Sequence, residues 1–397
     1  MAPSVRSGPL KLGIIGLGNA GRMIAPHAVA SSDVVLMGAA DSVADARRRF
    51  SEAYRLPAYE TIAELTRSDV DVVWVATPNE FHAMHVIAAA EAGKHIVCEK
   101  PMALTLEDCD RMISAAAANN VKLMLGHSKL MQAPVRKMRE VIDSGILGNV
   151  VQIATWNYND WLQRPRLQPE VDTGQGGGIC YRQAPHQVDI VRYLAGRRAR
   201  SIRAIANRAD SNFHTEGNFS ALMEFDGGLA ANLVYNAYGF FDVTELTWNI
   251  GEGGDVRVPK ENAIPRPRLK GPVAAGAQYG RSGGAENKVE RRQPFYGLTV
   301  VSCERGILRQ SPDGVFIYDE NGRREVLCDD TPPILRDFSE LAASIAEDRP
   351  PFPDGHWGKA TVEVCLALLD SSARSQEVKL QFQSLSGSQH RPGHAAP

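Results

Sequence analysis

A short stretch of the chain, GGGICYRQAPHQVD at residues 176–189, combines three glycines with residue types that can do chemistry. If one helix follows the glycines, Arg182, His186 and Asp189 stand at positions i, i+4 and i+7 and share a face. Imidazole titrates near neutral pH, so His186 is a candidate general base. An arginine one turn before it disfavours the imidazolium form and would keep His186 able to accept a proton.

A second candidate site is the glycine-rich sequence GLGNAG, which follows an apolar strand and opens a predicted helix. Gly16 allows a tight turn, Gly18 lets the backbone approach a pyrophosphate, and Gly21 lets the helix pack on the strand. The start of the helix supplies free N–H groups and a positive partial charge. Asp41 ends the next strand, where a carboxylate can accept hydrogen bonds from both hydroxyls of an adenosine ribose. The pattern predicts a dinucleotide site.

The same acid bears on which nicotinamide dinucleotide binds. Asp41 would repel a 2′-phosphate, which favours NAD over NADP. Three arginines that follow it, Arg47, Arg48 and Arg49, could accommodate a phosphate, although such a run is typical of a solvated helix face. We therefore expect NAD and keep NADP open.

Two domains must position these residues, because 397 residues are too many for one ordinary core. From Leu12 to about Leu125, apolar strands alternate with amphipathic helices. Buried strands linked by helices predict a doubly wound parallel sheet, an α/β Rossmann domain over residues 1–130.

The character of the chain changes near Gly148, where longer strands begin. Turn sequences at 226–228 and 321–322 predict two hairpins, and two helical stretches, 332–349 and 356–375, follow them. We expect an α+β domain with a large open, mainly antiparallel sheet over residues 131–382. Its irregular segment 252–294 is typical of an active-site lid, an oligomer arm or disorder. Residues 383–397 are expected to be a disordered tail.

Composition disfavours several functional classes. The formal net charge is −2, so no overall field directs the chain to nucleic acid or to an anionic membrane. No stretch reaches the roughly 18 consecutive apolar residues of a transmembrane helix, and the N-terminus lacks the apolar run of a signal peptide. The six cysteines are scattered and the ten histidines dispersed, so we expect a reduced, cytoplasmic protein without a metal.

Three stretches resemble the glucose–fructose oxidoreductase / inositol dehydrogenase / MocA (Gfo/Idh/MocA) family of nicotinamide-dependent oxidoreductases. They are GIIGLGNAGRM, VATPNEFHAMHVIAAAEAGKHIVCEKPMALT and GGGICYRQAPHQVDIVRYLAG. The resemblance runs from about residue 11 to residue 382. It implies that the cofactor lies at the carboxyl edge of the first sheet and the substrate between the nicotinamide and the second sheet. It also implies a homodimer or a homotetramer.

The resemblance assigns roles to single residues. It places Glu99 near the nicotinamide ribose, Lys100 at the reacting carbon and His186 beside Lys100. Oxidation of a carbinol removes a hydride from carbon and a proton from oxygen, so Lys100 can stabilise the oxygen while His186 takes the proton. The expected cofactor-binding residues are Gly16, Leu17, Gly18, Asn19, Ala20, Gly21, Asp41, Ser42, Thr77, Pro78, Asn79, His82, Glu99 and Lys100.

The chain departs from the family pattern at Arg182, where sugar and inositol dehydrogenases carry an aspartate that accepts hydrogen bonds from substrate hydroxyls. An arginine only donates, in a fork suited to carboxylate or phosphate. Together with Tyr158, Arg164, Arg166 and His186, it is expected to bind an anionic cyclic diol. A rival reading is that Arg182 pairs with Asp189 or Asp172 and never meets substrate.

The pattern resembles one branch of the family, the 4,5-dihydroxyphthalate dehydrogenases. That resemblance implies oxidation of the cis-4,5-dihydrodiol of phthalate to 4,5-dihydroxyphthalate, with NAD reduced to NADH. The alternatives are an inositol, sugar or sugar-acid dehydrogenase, and a non-catalytic NAD(P)-binding regulator. The presence of both Lys100 and His186 counts against the regulator.

Overall fold

The computed structural model describes residues 8–257, 268–273 and 290–384. They form two compact units. The first comprises residues 8–128 and 332–362, and the second comprises the described residues of 129–331 and 363–384. The predicted second domain, 131–382, therefore differs from the second unit, because the chain returns to the first unit over 332–362.

The α-helices follow the predicted alternation with strands in the first unit and are fewer between the strands of the second. Those of the described residues are α1 (Asn19–Ala30), α2 (Ala44–Tyr54), α3 (Ile62–Arg67), α4 (His82–Glu91), α5 (Leu106–Ala118), α6 (Ala133–Asp143), α7 (Gly178–Arg182), α8 (Ala184–Ala195), α9 (Pro333–Ala346) and α10 (Gly355–Arg374).

Helix α9 explains why the domain prediction differs over 332–362. It is amphipathic and buries Phe338 and Leu341 in the core of the first unit. The ring of Phe338 meets that of Trp74 edge-on, with 5.5 Å between centroids. A helical period shows that one face is buried but not which of two cores receives it, so sequence order alone does not show that the chain returns to the first unit.

The first unit contains a six-stranded parallel sheet in the order β3-β2-β1-β4-β5-β6. Its strands are β1 (Leu10–Ile15), β2 (Val34–Ala40), β3 (Ala58–Tyr59), β4 (Val72–Val75), β5 (His95–Glu99) and β6 (Leu123–Gly126). All residues of β4 and β6 are buried, as expected for strands covered on both faces. The order reverses between β1 and β4, which is where ligands bind in doubly wound sheets. The Rossmann prediction is confirmed.

Two elements of this unit were not predicted, namely β3 and α3. A strand of two residues and a helix of six are too short to show a period. Helix α3 does carry a capping box, in which Thr61 accepts from the N–H of Glu64 and the Glu64 side chain accepts from the N–H of Thr61.

The second unit contains a nine-stranded sheet in the order β14-β13-β12-β11-β7-β10-β9-β8-β15. Its strands are β7 (Val150–Tyr158), β8 (Ala199–Asn207), β9 (Asn218–Phe225), β10 (Ala230–Asn236), β11 (Leu298–Cys303), β12 (Gly306–Ser311), β13 (Gly314–Asp319), β14 (Gly322–Leu327) and β15 (Val378–Lys379). All neighbouring strands are antiparallel except β7 and β10. The prediction of a mainly antiparallel sheet is confirmed.

Both predicted hairpins form. The first joins β9 to β10 through a turn in which Gly227 and Gly228 have φ of 76° and 79°. The second joins β13 to β14, and Asp319 pairs with Gly322. The turn is therefore Glu320-Asn321, one residue earlier than predicted, and Gly322 with φ 93° already belongs to the returning strand.

The nine-stranded sheet has one covered face and one open face. Alternate residues of β9, such as Phe219 and Met223, are buried in a core that includes α6, α8 and the second half of α10. The opposite face leaves Trp156, Ile205 and Leu222 between 40% and 55% exposed. This alternation is the period-2 pattern of a sheet with one solvated side, so the predicted open sheet is present.

Within the described ranges, no helix is both long and apolar enough to cross a membrane. The same residues contain no group of three or more His, Cys, Asp or Glu side chains arranged to hold a metal ion. The six cysteines are free thiols. Most of the segment 252–294 and nearly all of the predicted tail lie outside the described residues.

Candidate active site

The glycine loop between β1 and α1 has the geometry that its sequence predicts. Gly16 has φ 95°, and a Cβ there would lie 2.8 Å from the carbonyl oxygen of Ala76. A Cβ on Gly21 would lie 1.9 Å from the carbonyl oxygen of Gly16. At Gly18, by contrast, an added Cβ meets no described atom within 4 Å. Two glycines are therefore required by the protein's own packing, whereas Gly18 faces open space that a ligand can fill.

The start of α1 is not neutralised by the described part of the chain. No side chain caps it, and its first turn has no acidic residue. The side chain of Asn19 instead accepts a hydrogen bond from Arg22 at 2.7 Å. The free N–H groups and the positive end of the helix dipole fit a pyrophosphate.

Asp41 joins the end of β2 to the glycine loop. Its Oδ2 accepts from the N–H of Leu17 at 2.7 Å, and its Oδ1 accepts from the N–H of Val43 at 2.8 Å. Each oxygen keeps further acceptor capacity, so the carboxylate is held in place and can still accept from ribose hydroxyls. This arrangement fits NAD.

The three arginines after Asp41 are already engaged by the protein. Arg47 donates to the backbone carbonyls of Asp41 and Ser42, at 2.8 and 3.0 Å. Arg48 and Arg49 both pair with Asp45 on α2. Their placement supports a solvated helix face and gives no support to a 2′-phosphate site.

The stretch Thr77-Pro78-Asn79 follows β4 and lies at the same edge of the sheet as the glycine loop. The Oγ1 of Thr77 is 2.9 Å from Nδ1 of His85. Burial, and then repulsion from His82, lower the pKa of His85 to about 4. His85 is therefore neutral near pH 7 and can accept a hydrogen bond from the Thr77 hydroxyl. Asn79 is 8% exposed.

His82, expected to lie along the cofactor, is fully buried. Its Nδ1 lies 2.8 Å from the carbonyl oxygen of Pro101 and its Nε2 lies 3.0 Å from that of Thr77. Both ring nitrogens face protein carbonyls, so the structure does not support a direct contact between this imidazole and a cofactor. A sequence motif places a residue near a site without fixing the direction of its ring, so a role of His82 along the cofactor stays a prediction.

Glu99 and Lys100 stand at the end of β5, next to β4 in the sheet. The indole N–H of Trp74 donates to Oε1 of Glu99 at 3.2 Å. Burial raises the pKa of Glu99, while the charge of Lys100 and the indole bond oppose that rise. Parallel strands bring these residues to the same edge as the glycine loop, as predicted.

In the second unit, the stretch 178–195 is not one helix. Helix α7 ends at Arg182 and α8 begins at Ala184, because Gln183 has φ −121° and leaves the helical region. Pro185 then stands in the first turn of α8, where it has no N–H to continue a helix from before. Arg182 and His186 therefore do not share one helical face, which corrects that prediction.

His186 lies in the first turn of α8 and is 7% exposed. Its ring meets that of Tyr296 edge-on, with 4.8 Å between centroids. Asp189 is buried one turn further on and lies 3.9 Å from Arg192. The third residue of the predicted face thus points into the core of the second unit.

Arg182 pairs with Glu170, a carboxylate that was not among the partners expected from sequence. Its NH1 donates to Oε1 of Glu170 at 3.2 Å. The NH1 of Arg166 lies 3.7 Å from the same oxygen. The structure therefore brings two of the three predicted arginines onto one carboxylate.

Arg166 is the least compensated of these cations. Its guanidinium lies over the ring of Trp161 at 4.6 Å, and its Nε is buried without a hydrogen-bond partner among the described residues. Burial lowers the pKa of Arg166 to about 10, and repulsion from Arg164 and Arg182 adds to this against attraction by Glu170. A further anion would stabilise the charged form.

Arg164 is better balanced. Its Nε donates to Asp160 at 2.9 Å. Although burial opposes its charge, Glu252 and Asp160 together raise its pKa. Tyr158, at the end of β7, stacks edge-on against Phe241 with 5.6 Å between centroids.

Sequence alone did not identify the polar residues that contact the loop of Arg164 and Arg166. Tyr235 donates to Gln183 and accepts from Asn159, and Asn159 also donates to Glu252 at 3.3 Å. Burial and Glu252 raise the pKa of Tyr235, which keeps the phenol neutral. These residues lie on separate loops and strands, so no local sequence pattern identifies them. Glu170, by contrast, lies four residues after Arg166, so that pair could be recognised from sequence.

Fold and site together define a two-domain oxidoreductase that binds NAD. Known proteins agree: the family model described as "Oxidoreductase family, NAD-binding Rossmann fold" matches residues 10–127, and that of the GFO/IDH/MocA C-terminal domain matches residues 135–248. The chain is 35% identical over 376 residues to 1-carboxy-3-chloro-3,4-dihydroxycyclohexa-1,5-diene dehydrogenase of Comamonas testosteroni, covering 91% of this chain and 94% of that protein. The chain belongs to the Gfo/Idh/MocA family and is an NAD-dependent oxidoreductase.

Two further relatives extend the comparison. Myo-inositol 2-dehydrogenase of Thermotoga maritima is 31% identical over 192 residues, which cover 47% of this chain and 55% of that protein. A solved structure from Bordetella bronchiseptica RB50, described as a dehydrogenase, is 36% identical with a TM-score of 0.85 and covers 94% of this chain and 100% of that chain. Similarity to dehydrogenases over both units leaves no support for the alternative of a non-catalytic regulator.

Proposed function

We propose that this oxidoreductase oxidises a cyclic cis-dihydrodiol that carries carboxylate, with the cis-4,5-dihydrodiol of phthalate as the leading substrate. The observation that carries the proposal is the sharing of Glu170 by Arg166 and Arg182. Two cations on one carboxylate leave one positive charge in excess. A substrate carboxylate would balance that charge, and guanidinium is the side chain best suited to bind it.

The reaction removes a hydride from the carbinol carbon and a proton from its hydroxyl, and the resulting ketone tautomerises to the aromatic diol. Bound NAD supplies the hydride acceptor, so the products are the aromatic diol, NADH and one proton. Lys100 donates a hydrogen bond to the reacting oxygen, and His186 takes the proton. Both roles come from the family motif, and each is part of the proposal.

The number of carboxylates separates the leading substrate from a close alternative. Phthalate has two, whereas the shared Glu170 leaves an excess of one positive charge. The relative from Comamonas testosteroni acts on a cyclohexadiene diol whose name contains one carboxy group. A monocarboxylated cyclohexadiene diol is therefore the second candidate.

An inositol, sugar or sugar-acid dehydrogenase remains the alternative within the family. The myo-inositol relative supports it only over about half of each chain. A neutral polyol leaves the excess charge unbalanced, so a uronic acid fits better than inositol or glucose.

The test is NADH formation, followed by absorbance, with a matched series of substrates. The cis-dihydrodiols of phthalate, benzoate and benzene carry two, one and no carboxylates on the same kind of ring. Myo-inositol, glucose and a uronic acid complete the panel, and each is offered with NAD and with NADP. We expect the highest kcat/KM with a carboxylated dihydrodiol and NAD. Turnover of inositol or glucose at a higher kcat/KM would overturn the proposal.

Part of the irregular segment 252–294 contacts the loop that carries Arg164 and Arg166. The N–H of Leu269 donates to the side chain of Gln163 at 2.9 Å, and that of Val273 donates to the carbonyl of Arg166 at 2.7 Å. Residues 268–273 thus hold the loop that carries the arginines. We propose that this part of the segment serves the site and is not an oligomer arm.

We also propose that the chain forms a homodimer or homotetramer through the open face of the nine-stranded sheet. Trp156, Ile205 and Leu222 project from that face, and exposed apolar patches mark interfaces. The free thiols are consistent with a reducing compartment, and a cytoplasmic location is part of the proposal.

A further inference from the structure

The imidazole of His82 is held between two loops of the first unit. One loop follows β4 and contains Thr77, and the other follows β5 and contains Lys100 and Pro101. Nδ1 lies 2.8 Å from the carbonyl oxygen of Pro101, and Nε2 lies 3.0 Å from that of Thr77. The side chain has no exposed surface. The ring therefore bridges the loop that carries the proposed catalytic lysine to its neighbour.

Two carbonyl acceptors place a demand on the protons of the ring. A neutral imidazole has one N–H and one lone pair. If one nitrogen donates, the lone pair of the other faces a carbonyl oxygen at hydrogen-bond distance, which is repulsive. Only the imidazolium form donates from both nitrogens and satisfies both carbonyls.

Three effects act on the charge of the buried ring. The ring lies at the start of α4, where the helix dipole weakly opposes a cation. Two hydrogen bonds from a charged donor favour the imidazolium form, whereas a neutral ring would leave one buried carbonyl without this donor. The two bonds therefore outweigh the dipole and offset part of the burial of a charge.

Ionisable groups also lie on α4 itself and on the elements that pack against it. They include His85 one turn further on in α4, Glu99 and Lys100 at the end of β5, and His127 after β6. The other ionisable groups of β5, α3 and α5 are His95, Cys98, Glu64, Arg67, Glu107, Asp108, Cys109, Asp110 and Arg111. Burial, and then repulsion from His82, keep His85 neutral near pH 7. Burial also raises the pKa of Glu99, which weakens it as a fixed negative partner. The two backbone carbonyls lie at hydrogen-bond distance from the ring and stabilise a cation at His82 directly.

We propose that His82 is a buried imidazolium that fixes the loop carrying Lys100 by donating to the carbonyls of both Thr77 and Pro101. It is a positioning residue: it contacts neither substrate nor cofactor and acts through Lys100. The inference about its charge rests on geometry alone, whereas its effect on catalysis rests on the proposed function of Lys100.

The charge is tested directly by nuclear magnetic resonance on the full chain labelled with ¹⁵N-histidine, with His82→Gln used to assign the signal. We expect both ring nitrogens of His82 to carry protons at about pH 7 to 8, above the ordinary range of histidine. A single protonated nitrogen in that range would overturn the proposal, whatever the activity of the enzyme.

The positioning role is tested by comparing His82→Gln with His85→Gln. Both changes replace a histidine of α4 with the same neutral amide, and both wild-type rings bond Thr77, but only His82 reaches Pro101. A small misplacement of a reacting group can cost about 10²-fold in rate, so we expect a loss of that order in kcat for His82→Gln and little change for His85→Gln. Equal losses in the two variants would contradict the role.

A double variant separates this inference from the proposed function. If His82 acts through Lys100, His82→Gln should lower kcat no further when Lys100 is already alanine. An independent second loss would show that His82 acts by another route and would overturn positioning. If Lys100→Ala alone keeps full activity, the proposed role of Lys100 fails while the resonance result still decides the charge of His82.

Discussion

The candidate cofactor half in the first unit and the candidate substrate half in the second are built from different chemical groups. In the first unit the cofactor half consists of backbone: two glycines required by packing, a helix start without a cap, and carbonyls that hold His82. In the second unit the substrate half consists of charged side chains in pairs, such as Arg164 with Asp160. Backbone geometry follows from local sequence, whereas a side-chain pair depends on which loops the fold brings together. The cofactor half should therefore tolerate no change of shape, and the substrate half should respond to changes of charge.

The largest expected effect comes from replacing Lys100, the residue of the first unit proposed to contact the reacting oxygen. Lys100→Ala removes the hydrogen-bond donor proposed for the reacting oxygen, and kcat should fall by about 10³-fold, as when one donor to a developing oxyanion is removed. Binding of NAD, measured by fluorescence titration, should change little. Lys122→Ala, which removes a surface pair with Asp348 in the same unit, is the control. A residual activity within tenfold of wild type would contradict the assignment of Lys100.

Two substitutions in the glycine loop distinguish a glycine required for packing from a glycine required for NAD binding. Gly21→Ala places a Cβ 1.9 Å from a carbonyl oxygen, so the free energy of unfolding should fall by about 1–3 kcal/mol. Gly18→Ala meets no described protein atom and should leave that free energy unchanged, yet raise the Kd for NAD by at least about tenfold, or ~1.4 kcal/mol. Urea unfolding and NAD titration on both variants give the comparison. Tight NAD binding by Gly18→Ala would mean that the pyrophosphate does not approach this residue.

The substrate half is tested by charge. Arg166→Met keeps much of the volume over Trp161 but removes the cation, and KM for a carboxylated dihydrodiol should rise by about 10- to 100-fold, since bonds to charged groups contribute about 1.5–3 kcal/mol. KM for the uncharged dihydrodiol of benzene should not change. Arg200→Met, in an exposed pair with Asp226, is the matched control. An equal rise for charged and uncharged substrates would indicate lost packing and not lost recognition of a carboxylate.

The contrast between backbone geometry and side-chain pairs also explains which features could be predicted from sequence. The Rossmann strands, the glycine loop, Asp41 and both hairpins follow from local patterns, and the structure contains them. The break at Gln183 was not predicted, because helix breaks before proline are only a tendency in sequence. Glu170 as the partner of Arg182 was not predicted either, since the two residues are twelve positions apart and meet only through the fold. Family resemblance supplied the position of Lys100, which composition and spacing alone would not.

Glu170 offers a smaller and opposite effect. Because it neutralises one of two arginines, Glu170→Gln should free positive charge and lower the Kd of a carboxylate inhibitor such as phthalate by about three- to tenfold, a gain of ~1 kcal/mol. The gain should shrink with added salt, because partly exposed charges are screened. Glu290→Gln, which removes the surface partner of Arg292, serves as control. A weaker phthalate affinity would show that Glu170 mainly orients the arginines and does not compete with substrate.

The smallest expected effect is a change with pH in the stability of the folded chain, caused by His85 in the first unit. The pKa of His85 falls to about 4 in the folded chain, chiefly through burial, from an ordinary value of about 6.5 in the unfolded chain. Between these values the unfolded chain binds more protons, so stability falls as pH falls from about 6.5 to about 4 and is unaffected above that window. His85→Gln cannot titrate, and its melting temperature should therefore drop less than that of wild type between about pH 7 and pH 5. Parallel losses in the two proteins would show that His85 takes up its proton in the folded state, and the neutral imidazole that accepts from Thr77 would then not describe this loop.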